Sequence, residues 1–225
     1  MTDVAYVREY FSAHAREWLR RAYGDGRNPR AYPVGVQRLR LTMEAALERL
    51  GALRGRLIDL GCGGGELAAH AAGLGFETTG VDIAPGMIDE AEARRRALPE
   101  PARGRLRFQI GDALASGLPA AQADAVTAIG LLEYLEEDDA FFGEAARLLR
   151  PGGVLVVSCR NRLFNLASLN DYTRAEISAG AAGSLLDELG GLAPDVAARD
   201  ALKELAARLR EAADGLDEAL AEDAA

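Results

Sequence analysis

Five short apolar runs, each separated from the next by a stretch long enough for a helix, constrain the fold of this chain most strongly. The runs lie at residues 56–60, 77–81, 106–110, 125–129 and 154–159. Strands that alternate with helix-length connections form right-handed βαβ crossovers, which require a parallel sheet. The last run, VLVVSC, is apolar on both faces, as a strand covered on both sides should be. We therefore predict an α/β fold with a doubly wound parallel sheet of at least five strands.

The segments on either side of this region have a helical pattern. Before it, Tyr10, Phe11 and Trp18 recur at helical spacing, and a second amphipathic stretch covers residues 34–50. After it, the strand signal disappears and residues 195–213 predict a helix followed by an acidic tail. We predict a helical cap at residues 1–53, a core at 54–160, and a helical substrate-side lid with an acidic tail at 161–225.

The charge balance restricts the class of partner. The formal net charge of the 225-residue chain is −9, which argues against nucleic acid or an anionic membrane as the main partner. No apolar run approaches 18 residues, and the N-terminus lacks a signal-peptide core, so we expect a cytoplasmic protein without membrane insertion. Cys62 and Cys159 are too few for a disulfide framework or a zinc site, and we predict no metal.

A glycine-rich loop lies where the first predicted strand leads into a helix. Residues 59–66 read DLGCGGGE, so the glycines follow the spacing Gly-x-Gly-x-Gly. Glycines at such a turn let a ligand approach the backbone, and the free N–H groups at the helix start favour electron-rich groups. Glu66 stands where a dinucleotide fingerprint has its third glycine, and its carboxylate would repel a pyrophosphate.

Three aspartates end consecutive predicted strands. Asp59, Asp82 and Asp112 come at the carboxyl ends of the first three strands, the edge at which doubly wound sheets bind ligands. Asp82 follows Gly61 at the sequence separation typical of the acidic residue that accepts hydrogen bonds from a ribose. Each aspartate taken alone could be a turn or helix-capping residue. Together they favour a ligand that contains a positively charged adenosine, and they disfavour a ligand that contains a diphosphate.

The same stretches resemble the class I methyltransferases that use S-adenosylmethionine (SAM). The resemblance covers residues 57–157 and is closest to the small-molecule branch that includes ubiquinone- and menaquinone-biosynthesis enzymes. It implies a Rossmann-like fold, SAM as cofactor and S-adenosylhomocysteine (SAH) as product. The matching stretches are LIDLGCGGGELA (57–68), TTGVDIAPGMIDEA (78–91), FQIGDALASGLP (108–119), ADAVTAIGLLEYL (123–135) and LLRPGGVLVVS (148–158).

The resemblance also implies roles for individual residues. One group would hold the methionine part of SAM, a second the ribose and adenine, and a third would line the sulfonium side. A separate hypothesis pairs Arg38 of the second cap helix with the SAM carboxylate. The first group is Asp59, Gly61, Cys62, Gly63 and Gly65; the second is Asp82, Ile83, Met87, Asp112 and Ala113; the third is Ile129 and Gly130.

The resemblance does not carry over a catalytic base. Members of the branch often have a histidine pair after the fourth strand, where this chain has Glu133 and Tyr134. Methyl transfer needs a base only if the acceptor must lose a proton. The candidates are Glu133, Tyr134 and His14, although a histidine between Tyr10 and Trp18 could simply pack among aromatic rings.

Two other functions stay open on the sequence alone. The chain could be an NAD-dependent oxidoreductase, which the Gly-x-Gly-x-Gly spacing and the aspartates oppose, or a non-catalytic SAM-binding or assembly subunit. The leading hypothesis is methyl transfer to a small-molecule acceptor, with O-methylation slightly favoured. No antiparallel strand pair follows residue 159, so we expect the tail helices or a second subunit, as in a homodimer, to cover the edge of the fifth strand.

Overall fold

The computed structural model describes residues 4–24, 32–51, 54–135, 138–158, 176–193 and 195–223. The chain divides into two compact units, Met1–Cys159 and Arg160–Ala225. The predicted cap segment therefore belongs to the same compact unit as the core. None of the helices within the described ranges combines the length and apolar character that crossing a bilayer requires.

The first unit is built on five parallel strands in the order β3-β2-β1-β4-β5, which confirms the predicted α/β fold. Strand order reverses between the neighbours β1 and β4, so a crevice forms at their carboxyl ends. This switch point is where open α/β sheets bind ligands. The strands are β1 Arg56–Leu60, β2 Glu77–Asp82, β3 Leu106–Ile110, β4 Ala123–Ile129 and β5 Leu149–Ser158.

Helices cover the sheet and form the second unit. In the first unit they are α1 Val4–Tyr23, α2 Tyr32–Leu50, α3 Glu66–Leu74, α4 Pro85–Ala97, α5 Ala102–Arg105 and α6 Asp138–Leu148, with a 3₁₀ turn at Leu132–Tyr134. In the second unit, α7 Ala181–Leu192 packs along α8 Val196–Asp223, and Arg210 forms an ion pair with Asp187. The α8 helix begins after Asp195, whose carboxylate accepts the Ala198 N–H at 2.7 Å as an N-cap.

The two faces of the sheet bury separate apolar clusters because successive side chains of a strand point to opposite faces. Leu57 packs with Met43 and Phe76 on the face covered by α2 and α3. The next residue, Ile58, packs with Phe141 of α6 on the other face. All five side chains are buried. The sheet is thus held between two helical layers, and its carboxyl edge stays available for a ligand.

The main differences from the predicted elements lie around β5. This strand begins five residues earlier than predicted, because Leu149 pairs with Ala123 before a register shift resumes pairing at Val154 and Ala125. The short helix α5 was not predicted. The described residues after Ser158 contain helices and no strand, whereas the predicted lid segment 161–175 lies outside the described residues. Coverage of the β5 edge by another element stays a prediction.

Candidate functional site

The glycine loop is fastened to the end of β2. The N–H groups of Gly61 and Cys62 both donate to the carbonyl oxygen of Val81, at 2.8 and 3.0 Å. Gly65 has a φ of +76°, and a Cβ there would lie 2.4 Å from the ring of Phe108. Since a side chain at this position would clash as well as strain the backbone, the loop depends on glycine. Gly65 therefore shapes the turn and does not itself line the cavity described below.

Asp82 holds the loop and the start of α4 together. One carboxylate oxygen accepts the Gly63 N–H at 2.8 Å, and the other accepts the Ala84 N–H at 2.9 Å. Burial raises the pKa of Asp82, and these two hydrogen bonds oppose that rise. Each oxygen keeps a second lone pair that can accept a further hydrogen bond from a ligand.

Asp59 is a buried carboxyl group beneath the loop, with 3% of its surface exposed. The Thr127 hydroxyl of the neighbouring strand β4 donates to its Oδ1 at 2.7 Å. Burial raises the pKa of Asp59 from 3.8 to about 7; the Thr127 hydrogen bond opposes this rise, and the carboxylates of Asp82 and Glu66 add to it. A cation next to Asp59 would favour its ionised form.

Glu66 and Arg94 form a partner pair that the sequence analysis missed. Arg94 of α4 forms an ion pair with Glu66, whose side chain is only 8% exposed, and donates through Nε to the Gly64 carbonyl oxygen at 2.8 Å. Burial raises the pKa of Glu66, and the Arg94 guanidinium opposes that rise. The residues are 28 positions apart, so no local spacing pattern could have indicated this contact.

These groups surround a cavity of about 400 Å³ at the carboxyl edge of the sheet. This volume lies within the range of roughly 300–1,000 Å³ that is typical of small-molecule sites. Most of the residues predicted for the cofactor come together here. The predicted residues that line the cavity are Asp59, Gly61, Cys62, Gly63, Asp82, Ile83, Met87, Asp112, Ala113, Ile129, Gly130 and Tyr134.

Helix α1 closes the cavity with one of its two aromatic stripes. Val4, Val7, Phe11 and Trp18 line the cavity from the same side of the helix. Tyr23, at the end of α1, also lines it, and burial, together with the Glu66 and Asp59 carboxylates, raises the pKa of its hydroxyl to about 12. This apolar side makes the cap an integral wall of the site.

The other stripe of α1 faces away, and it carries His14. Tyr6, Tyr10 and His14 are exposed and stack in series, with ring centroids 6.0 and 4.8 Å apart. The His14 Nδ1 lies 2.9 Å from the Tyr10 carbonyl oxygen. The structure therefore does not bring His14 to the cavity. His14 follows Tyr6 and Tyr10 at intervals of four residues, so all three rings lie on the same side of the helix.

Arg38 and Glu133 lie close to Gly130, which lines the cavity. A Cβ on Gly130 would be 3.4 Å from Arg38 Nη1 and 3.9 Å from Glu133 Oε1. Neither side chain lines the cavity, whereas Tyr134 does and packs edge-on against Phe11 with ring centroids 5.3 Å apart. Of the predicted catalytic candidates, only Tyr134 has direct access to the cavity.

The charge of the cavity wall distinguishes between classes of ligand. The described lining residues include Asp59, Glu66, Asp82 and Asp112, and no Lys, Arg or His. Arg94 neutralises Glu66, so the three aspartates supply the remaining negative charge, which favours a cation over phosphate. The Cys62 thiol also lies in the wall, and burial raises its pKa, which keeps it neutral. These residues fit a cationic nucleoside without phosphate, as the sequence predicts.

A comparison with protein families identifies the core. Residues 58–157 match a family described as a methyltransferase domain. Residues 58–157 are thus a class I SAM-dependent methyltransferase domain. This match begins within β1 and ends within β5, so it contains β2, β3, β4, most of β1 and β5, and the whole glycine loop.

Curated relatives align with this chain over a longer stretch than the family domain. The chain is 35% identical over 152 residues to a "Ubiquinone biosynthesis O-methyltransferase" of Xanthomonas axonopodis pv. citri, an alignment that covers 68% of this chain and 59% of that protein. The protein of the same name from Xanthomonas oryzae pv. oryzae is 34% identical over the same length. The chain thus spans about three fifths of the length of these curated relatives.

Solved structures give the same fold. The SAH-bound magnesium protoporphyrin IX methyltransferase of Synechocystis PCC 6803 superposes with a TM-score of 0.61 and 25% identity, covering 86% of this chain and 81% of that one. The [4+2]-cyclase SpnF superposes with a TM-score of 0.53 and 28% identity over 67% of this chain and 58% of that one. Since proteins named for different reactions have this fold, the reaction must be argued from the site.

Proposed function

We propose that this protein transfers the methyl group of SAM to a small-molecule acceptor. The observation that carries the proposal is the cavity at the switch point, with three aspartates and a glycine loop in its wall and no cationic side chain among its described lining residues. SAM, when bound, supplies a methyl group that is activated by attachment to a positively charged sulfur. The relatives named as O-methyltransferases support oxygen as the acceptor atom.

The residues of the wall divide into three parts that match the parts of SAM. Asp59 and the loop from Gly61 to Gly63 would hold the cationic methionine end, with Asp59 ionised by the nearby positive charge. Asp82 would accept from the ribose through its remaining lone pairs. Asp112 would accept from the adenine amino group through the oxygen not taken by the Leu114 N–H, which it accepts at 2.8 Å. Ile83, Met87 and Ala113 supply the apolar surface around the adenine, and Ile129 and Gly130 the sulfonium side.

The acceptor would lie between α1 and the turn after β4. This part of the wall is apolar and aromatic, with Phe11, Leu131, Tyr134 and Leu135 among its lining residues. Tyr134 is the proposed acceptor contact, and its packing against Phe11 fixes the ring. The main contribution of this surface is to hold the acceptor atom in line with the methyl group. No described lining residue is a histidine.

Calorimetric titration tests the cofactor part of the proposal. We expect wild-type protein to bind SAM and SAH and not NAD. The Asp59→Asn variant should lose affinity for both SAM and SAH, because both carry the ammonium group at the methionine end. Saturable binding of NAD, or no binding of SAM, would refute the proposed site.

A transfer assay tests the reaction itself. Protein with methyl-labelled SAM is incubated with matched pairs of phenol and amine acceptors of equal size, and label is counted in the acceptor. We expect transfer to the oxygen acceptor. The Tyr134→Leu variant should lose transfer while it keeps SAM affinity. SAM binding without transfer to any acceptor would favour the alternative of a non-catalytic SAM-binding subunit.

A further inference from the structure

A second depression lies at the opposite edge of the sheet, where the strands begin. It has a volume of about 710 Å³ and is lined by residues at or next to the starts of all five strands. Because the strands are parallel and β1 has five residues, this edge is roughly 16 Å from the proposed cofactor site at a rise of about 3.3 Å per residue. The depression is therefore a separate feature from the methyltransferase cavity.

Four arginines from three separate segments converge on this depression. Arg54 and Arg56 come from the start of β1, Arg105 from the end of α5, and Arg150 from the first residues of β5. The acidic lining residues are Glu77 and Asp124. Four positive and two negative side chains leave a formal charge of +2 on the lining, in a chain whose net charge is −9.

One of the two carboxylates is already occupied within the fold. Asp124 forms an ion pair with Arg150, and its Oδ2 accepts the Arg56 backbone N–H at 2.6 Å. A Cβ on Gly55 would lie 2.7 Å from the same oxygen, so the backbone passes close to this carboxylate. Asp124 thus holds Arg150 at the rim. Because both of its oxygens already have partners, it does not form an ion pair with another arginine of the depression.

The side chains of Arg54, Arg56 and Arg105 form no ion pair with any carboxylate of the described residues. Guanidinium groups brought together without carboxylate partners repel one another, and an anion relieves that repulsion. Each guanidinium presents a planar set of donors that matches phosphate oxygens in pairs. One monovalent anion would leave part of the lining charge uncompensated.

We propose that this depression binds a small molecule with two or more linked phosphate groups. Arg56, Arg105 and Arg150 would donate to the phosphate oxygens, with Arg54 and the Gln122 amide at the rim. The rim before β4 is held in place by hydrogen bonds from the Ala121 and Gln122 N–H groups to the carbonyl oxygens of Arg147 and Leu148, at 2.8 and 3.0 Å. A concave site in an acidic chain suits a small polyanion better than a nucleic-acid strand.

Isothermal titration with sodium tripolyphosphate at low ionic strength tests the proposal. We expect wild-type protein to bind one equivalent saturably. Arg56→Gln with Arg105→Gln should weaken that binding at least tenfold. The matched control, Arg96→Gln with Arg107→Gln, removes the same charge from exposed arginines outside the depression and should stay within twofold of wild type. SAM affinity should be unchanged in both double variants.

Several outcomes would overturn the site. These are no saturable binding to wild-type protein, equal weakening in the two double variants, citrate binding as tightly as tripolyphosphate, and a DNA duplex binding more tightly than either. If the double variant does not fold, the single Arg105→Gln variant, which leaves β1 intact, is compared with Arg96→Gln alone. Because tripolyphosphate binding is measured without SAM or acceptor, its failure is distinguishable from failure of the proposed methyl transfer.

Discussion

The Thr127 hydroxyl donates to the Asp59 carboxylate across the β1–β4 junction, and both side chains are buried. This hydrogen bond joins the two neighbouring strands at whose carboxyl ends the ligand crevice forms. It also opposes the rise in the Asp59 pKa that burial causes. The bond therefore links the stability of the fold to the charge state of the proposed cofactor site.

Replacing Thr127 by valine should destabilise the protein. The variant keeps the shape of the side chain but leaves a buried carboxylate without its donor, at a cost of about 1–3 kcal/mol in the free energy of unfolding. Urea unfolding at pH 8 measures it. Thr78→Val is the matched control, since Thr78 is buried too but donates to the Phe76 carbonyl oxygen. Equal losses in the two variants, unchanged between pH 8 and pH 4, would contradict the role of the Asp59 contact.

The raised pKa of Asp59 predicts a pH-dependent stability. Between its ordinary value of 3.8 and about 7 the folded protein holds a proton that the unfolded chain has lost. The unfolding free energy should therefore fall as pH rises through this range and stay low above it. Asp59→Asn cannot ionise, so its stability relative to wild type should increase from pH 4 to pH 8. The increase should be on the order of 4 kcal/mol, at about 1.4 kcal/mol per pKa unit. Parallel stability curves for the two proteins would contradict this.

The same titration should govern cofactor affinity. A cationic ligand binds the ionised form of Asp59 more tightly, so SAM affinity should rise as pH increases through about 7 and then level off. In Asp59→Asn the affinity should be lower and independent of pH across that range. Calorimetric titrations at several pH values measure this. A wild-type affinity that is flat between pH 6 and pH 8 would show that Asp59 does not face the positive charge.

Gly86 should control the docking of the cap helix. A Cβ at this position in α4 would lie 2.2 Å from the Ser12 carbonyl oxygen of α1. Gly86→Ala should therefore push α1 away, with a loss of about 1–3 kcal/mol in unfolding free energy, as for other overpacked contacts. Limited proteolysis should cut α1 faster in this variant. Gly143→Ala in α6 is the control, because no atom outside the adjoining backbone of its own helix lies within 4 Å of that Cβ position; it should match wild type or be slightly more stable. Unchanged proteolysis of α1 in Gly86→Ala would contradict this packing.

Arg94 should stabilise the fold because it neutralises the buried carboxylate of Glu66. Arg94→Gln leaves Glu66 without its cation, and breaking such a pair costs about 3–5 kcal/mol when it is buried. We expect a loss toward the lower end of that range, since Arg94 is partly exposed. The double variant Glu66→Gln with Arg94→Gln should recover most of the loss, as measured by urea unfolding. A double variant no more stable than Arg94→Gln would mean that the Gly64 contact matters instead.

Local sequence patterns were sufficient where the structure depends on neighbouring residues. The strands at residues 56–60 and 106–110 have the predicted bounds, because short apolar runs next to turn residues have few alternatives. The predicted start of β5 was wrong because the strand start depends on the pairing register with β4. That register shifts between Ala123 and Ala125. Strand pairing is a long-range property that no pattern within residues 149–158 records.

The sequence by itself determined the parallel sheet, the glycine loop and the three strand-end aspartates, because these follow from periodicity and from the conformational freedom of glycine. The tertiary structure alone decided which stripe of α1 closes the cavity, since helical periodicity places Phe11 and His14 on the same helix without saying which one faces inward. It also decided the partners of buried charge, Thr127 for Asp59 and Arg94 for Glu66. Those contacts join residues 68 and 28 positions apart, and only packing brings such residues together.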